Sequence, residues 1–202
     1  MESQMDKCQH WRCVIPAGYM AKKVIPRPDW VQPERAPANV TDIYSVSGCI
    51  SEDFLDYIEF WRHNGYWFFN TPRVIVDLLR ESRVDASGLK WFYYEVYEKQ
   101  FDEEAKSWVD FQPEASFSTD ILPPREKKFE GFDVVSFSAG TSPECSPLSC
   151  NNLAERIPVN GHCLMETFED AKAELEVGAF DESEPGPYRI FAVYSIPVPA
   201  EI

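Results

Sequence analysis

The chain has 202 residues, 44% of them apolar and 14% aromatic, and a formal net charge of −15. That length and apolar content can build one self-supporting core, while the negative charge repels phosphate backbones and anionic lipid, which argues against nucleic-acid and membrane-surface binding. No apolar run approaches the roughly 20 residues of a bilayer span, and residues 1–11 lack the apolar stretch of a secretory leader. A cytoplasmic protein with reduced cysteines and no structural disulfides is therefore expected.

Five prolines (Pro16, Pro26, Pro28, Pro33, Pro37) punctuate the N-terminal part of the chain. Proline breaks helices and interrupts sheet ladders, so residues 1–38 read as an arm or loop wrapping a single α+β domain over residues 39–202. Residues 11–15 fit at most a short edge strand, and 41–47, with β-branched and aromatic content, a better one. Ser51 followed by Glu52 and Asp53 looks like an N-cap with an acidic first turn. Phe54, Leu55, Ile58 and Trp61 then recur at helical spacing up to about His63, and Gly65 supplies the stop. Thr71-Pro72 opens a second helix, with Val74, Ile75, Leu78 and Leu79 on one face, ending near Arg83.

Residues 89–101 (LKWFYYEVYEKQF) are rich in aromatics at both odd and even positions, the pattern of a strand covered on both faces. The polar run 102–106 and Trp108 predict a hairpin after it. Residues 132–139 form a further strand. Ser146-Pro147 starts a short helix running to about Glu155, and Thr167 starts another with Phe168, Ala171 and Leu175 as its buried stripe and Gly178 beyond its end. A last strand spans residues 188–196. Strands and helices do not alternate regularly, so the expected class is α+β: a largely antiparallel sheet with three to four short helices packed on it.

Charge is unevenly spread. Residues 1–38 carry six basic and four acidic side chains, whereas eight carboxylates lie between Glu166 and Glu184 against the single Lys172. Glu166, Glu169, Asp170, Glu174 and Glu176 are the candidate surface for a basic protein partner; a solvated face that aids solubility is the simpler reading. The aromatic set Tyr66-Trp67-Phe68-Phe69 with residues 91–97 reads as core rather than as a binding face, because large exposed apolar patches are rare.

Candidate chemistry concentrates between Cys145 and Cys163, where three of the six cysteines and one of the three histidines fall. One reading is tetrahedral zinc held by Cys145, Cys150, His162 and Cys163, although adjacent residues such as His162 and Cys163 point apart on extended backbone. Cys8, His10 and Cys13 would complete a site if the N-terminus folded over it. The other reading is a nucleophilic thiol, Cys145 or Cys150 at the helix start, with His162 as base and Asn151, Asn152 or Asn160 orienting it. Against both stands plain burial, since free cysteine packs as a small hydrophobe, and Cys49 at a strand end reads the same way. The chain has no glycine-rich phosphate loop, no G-x-S-x-G, no H-E-x-x-H and no EF-hand loop.

A helix opened by Thr71-Pro72 between two aromatic stretches, in an acidic domain, resembles in composition the bacterial immunity proteins that neutralise toxins. The resemblance implies an inhibitory interaction module for a basic partner. That is the leading expectation, with a thiol- or zinc-dependent enzyme centred on the Cys145–Cys163 region as the alternative.

Overall fold

The computed structural model describes residues 14–50, 52–53, 64, 66–83, 85–110, 121–138 and 143–200. Among them are nine strands, three α-helices and three short 3-10 turns, and every strand pair is antiparallel. The architecture is α+β with the sheet dominant.

The aromatic segment splits at Glu98 into β5 (Leu89–Tyr97) and β6 (Lys99–Asp102). β5 lies inside the main sheet, between β1 (Val14–Lys23) and β9 (Tyr188–Ile196). Its two faces are both filled, as the doubly aromatic pattern requires. On one, Tyr93 meets Tyr19 and Tyr194, and Tyr97 meets Phe168; on the other, Phe92 meets Tyr44 and Tyr94 meets Phe68. Tyr66, Phe68 and Phe69 are buried as well, so this aromatic set is core.

β9 is paired along one edge by β5 and, at Tyr188, by β6; its other edge carries β8 (Lys128–Ser136). β6 turns back as a hairpin into β7 (Ser107–Asp110), with Trp108 opposite Phe101. β8 begins earlier than its sequence suggests, because the bulge at Gly131 keeps Phe129 and Phe132 in register with β9.

Val14–Lys23 corrects the expectation of a proline-rich arm over this stretch. It is a ten-residue strand paired to β5 along its whole length. Pro16 is tolerated because the register shifts between Pro16 and Gly18, a bulge where the ladder is already interrupted. Only further on does the chain wrap. β2 (Ile25–Pro26) pairs with β3 (Asp42–Ile43), two 3-10 turns lie between them, and the buried Trp30 indole donates to the Ser149 carbonyl at 3.1 Å.

The helix expected from Ser51 to His63 lies outside the described residues, except for Glu52 and Asp53. Those two form β4 against Lys22 and Lys23 rather than a first helical turn. α1 (Pro72–Ser82) runs as Thr71-Pro72 predicts, with Ile75, Val76, Leu78 and Leu79 buried and Arg83 closing it in the left-handed region. α2 (Pro147–Cys150) is a single turn, shorter than expected. Asn152 at φ 56° breaks it, and a 3-10 turn follows at Leu153–Glu155. α3 (Phe168–Glu176) matches its pattern: Thr167 accepts from the Asp170 amide, and Phe168, Ala171 and Leu175 are buried. No helix among the described residues is long and apolar enough to cross a membrane.

Candidate thiol centre

Three cysteines converge: the Sγ atoms of Cys49, Cys145 and Cys150 all lie within 4.8 Å of one another. Two chain segments about 95 residues apart in sequence meet here, and β8 joins them. Ser136 donates its amide to the Cys145 carbonyl at 2.8 Å, which fixes the start of the 145–150 segment to the end of the strand. Pro147 then opens α2, and one helical turn brings Cys150 back beside Cys145.

The segment carrying Cys49 is held by two buried charges. Lys22, 2% exposed, points its ammonium at the carbonyls of Ser45, Val46 and Ser47 at 3.1, 2.6 and 3.1 Å. Asp133, on β8, accepts from the Val46 amide at 2.8 Å and from the Ser146 hydroxyl at 2.6 Å, and that hydroxyl in turn accepts from the Ser47 amide. One carboxylate therefore ties both thiol-bearing segments to the same strand. Such outer contacts orient ligands that would otherwise sample many geometries.

Each thiol has a polar neighbour. Cys49 is exposed and donates to the Glu144 carbonyl, Cys145 is buried and donates to Asn151 Oδ1 at 3.1 Å, and Cys150 is half-buried, 3.8 Å from the Ser47 hydroxyl. The three titrate as a unit. Hydrogen bonds from Cys145 and Cys150 hold the Cys49 thiol far below its usual range, with the Lys22 charge adding to the effect. Its contacts with Cys150 and Cys49, with burial, push Cys145 up. For Cys150 the contact with Cys145 favours ionisation, but the contact with Cys49 and burial outweigh it and push the thiol up to about 12.

Of the four residues expected to bind zinc, the fold brings Cys145 and Cys150 together, with Cys49 as the third thiol; His162 and Cys163 do not join them. His162 belongs to another cluster. Its ring stacks on Tyr44 with centroids 4.0 Å apart, its Nδ1 lies 2.5 Å from Asp42 and its Nε2 lies 3.6 Å from Glu130. With both ring nitrogens facing carboxylates, it is not placed as the base for Cys145 or Cys150. Cys163 is buried at φ 60°, and burial pushes its thiol up, with the Asp133 and Cys150 charges adding.

The asparagines divide in the same way. Asn151 touches Cys145; Asn160 spends its side chain on its own turn, accepting from the His162 and Leu164 amides and donating to the Glu130 carbonyl; Asn152 sits in the left-handed region after α2. Cys8, His10 and Cys13 lie outside the described residues.

The candidate acidic surface is on and beside α3. Glu166, Glu169, Asp170 and Glu176 are exposed and Glu174 half-buried. Two of these carboxylates already have partners: Asp170 accepts from the Thr167 hydroxyl, and Glu176 from the Trp108 indole, with Lys172 3.5 Å away. An open cavity lined in part by Arg125, Lys127, Lys128 and Ser195 shares no residue with the thiols. Two of its cations are engaged, Lys127 by Glu95 and Lys128 by Glu130.

Cys49, alone in its neighbourhood, has the sequence marks of a buried structural thiol, but it is exposed and lies beside Cys145 and Cys150. Its only local signal was the Gly48-Cys49 turn after a strand, while density along the chain drew attention to Cys163. No family model, no curated protein and no solved structure matches this chain.

Proposed function

We propose that the protein binds one thiophilic cation of the zinc class through the thiolates of Cys49, Cys145 and Cys150. The mutual approach of the three sulfurs carries this reading. Three points within 4.8 Å of one another share a centre no more than about 2.8 Å from each, so an inward shift of roughly 0.5 Å per sulfur reaches the ~2.3 Å of a zinc–thiolate bond. Soft thiolates select d10 and other thiophilic ions over magnesium or calcium. No His, Asp or Glu among the described residues joins the three sulfurs. The fourth tetrahedral position would go to a donor outside this group, with Cys8, His10 and Cys13 as the chain's own candidates and solvent as the alternative. Exposed Cys49 gives the cation its way in.

The expected acidic module for a basic partner rests on net charge, without a second feature of the α3 face that selects a ligand. It stands behind the thiols for that reason.

The test is titration of the reduced, metal-stripped protein with zinc against a chromophoric chelator. One equivalent is expected to bind, and Cys49→Ser or Cys150→Ser should weaken binding at least tenfold, whereas His162→Ala should leave it unchanged. Because loading displaces protons from Cys145 and Cys150, affinity rises with pH across the neutral range. Equal zinc affinity in wild type and Cys49→Ser would sink the proposal.

A further inference from the structure

We propose that the same three sulfurs also form a dithiol–disulfide couple, in which a hydroperoxide oxidises exposed Cys49 and a buried neighbour, Cys145 or Cys150, closes a disulfide onto it. The disulfide half of this proposal needs only the convergence of the thiols; the accompanying release of a cation rests on the metal reading above.

The geometry supplies what the chemistry requires. A hydroperoxide must reach one sulfur from solvent, and a second thiol must stand close enough to capture the product before over-oxidation. Cys49 is the exposed thiol of the set, with Cys145 buried and Cys150 half-buried behind it. Disulfide formation closes a sulfur–sulfur gap of at most 4.8 Å to about 2.05 Å. The backbones differ in how firmly they are held. Cys145 is bonded to β8 through its carbonyl, and Cys150 donates its amide to Ser146 at 2.9 Å inside α2. Cys49 lies in a turn, two residues past the last carbonyl that Lys22 holds. The approach is thus made by the exposed partner toward two fixed ones. Cys163, buried outside the group, is not served by this geometry.

The balance is complete. The Cys49 sulfur attacks the terminal peroxide oxygen, the O–O bond breaks, and water (or an alcohol from an organic hydroperoxide) leaves with one proton, giving the sulfenic acid. The second thiol then displaces the hydroxyl, forming the S–S bond and a second water. Sulfur is oxidised by two electrons and the peroxide oxygens are reduced by two. A dithiol reductant reverses the change. With two of the three sulfurs joined to each other, the cation loses its ligand set.

The experiment treats the reduced, metal-free full chain with one equivalent of hydrogen peroxide and reads free thiols and disulfide-linked peptides by mass spectrometry. Loss of two thiols per chain is expected, in one intramolecular disulfide that contains Cys49 and either Cys145 or Cys150 and is fully recovered by dithiothreitol. Cys49→Ser, at an exposed position, should slow thiol loss at least tenfold and leave Cys145 and Cys150 reduced. In zinc-loaded protein the same treatment should release one equivalent of zinc to an indicator dye. A Cys145–Cys150 disulfide that spares Cys49, a disulfide to a cysteine outside the three, or oxidation of Cys49 to sulfinic acid without disulfide would each overturn the proposal. Disulfide formation by a protein that binds no zinc would leave the couple standing and remove only the metal reading.

Discussion

Asp133 ties both thiol-bearing segments to β8, and its environment makes that role measurable. It is buried, with Val46 and Ser146 donating to the same carboxylate oxygen. Burial pushes its pKa up to about 6 from 3.8, against the pull of those hydrogen bonds and of the Lys22 charge. A carboxyl that holds its proton more tightly in the folded chain contributes stability at pH values below its unfolded pKa, and that stability is lost as pH rises through the folded one. The loss from this group between pH 4 and 6 is about 3 kcal/mol. Asp133→Asn keeps an acceptor oxygen and removes the titration, so wild-type stability relative to the variant should fall across that window in urea denaturation. A difference that stays flat with pH would show that Asp133 does not titrate there. Lys22 is the complementary case: a buried ammonium on three carbonyls, whose removal strands those acceptors beside Cys49.

At the level of elements, two bulges shape the sheet around the site. Gly131 in β8 has φ +144°, and a Cβ there would lie 2.7 Å from the Leu164 Cβ and 2.9 Å from the Met165 carbonyl. The bare backbone lets the 164–165 segment bridge to Phe132 along the edge of β8. Gly131→Ala is expected to cost about 2–4 kcal/mol, from backbone strain plus overpacking, read as a lowered denaturation midpoint with an unchanged m-value. Gly18 in β1 plays the same part against Phe68 and Phe69. Local signals served well wherever one short segment decides its own fate: Thr71-Pro72 and Thr167 start α1 and α3, and β5 and β9 lie where aromatic and β-branched residues are dense. They failed where a partner strand decides. Pro16 argued against an interior strand, yet pairing with β5 and a bulge accommodate it. Glu52 and Asp53 carry the marks of a first helical turn, yet β1 claims them.

Across the whole molecule, the thiol centre is a product of assembly. The wrapping segment, β8 and the 145–150 turn must all dock before the sulfurs meet. Trp30, 3% exposed and bonded to the Ser149 carbonyl, joins the wrapping segment to α2 one residue from Cys150. Trp30→Ala should therefore cost about 3–5 kcal/mol of stability and also weaken zinc binding at least tenfold, measured by the same chelator competition. Lost stability with unchanged affinity would show that the wrap supports the fold without shaping the site. What the amino-acid sequence determines alone is its composition class, its acidity, its helix starts and its doubly buried strand, because each follows from backbone preference and hydrophobic period within a few residues. It also carries the Cys145–Cys150 half of the site, whose two thiols one helical turn can bring together. Only the tertiary structure decided that Cys49 completes the group while His162 turns to Asp42 and Glu130, because which distant side chains share a point depends on strand order and register, and spacing along the chain does not encode these.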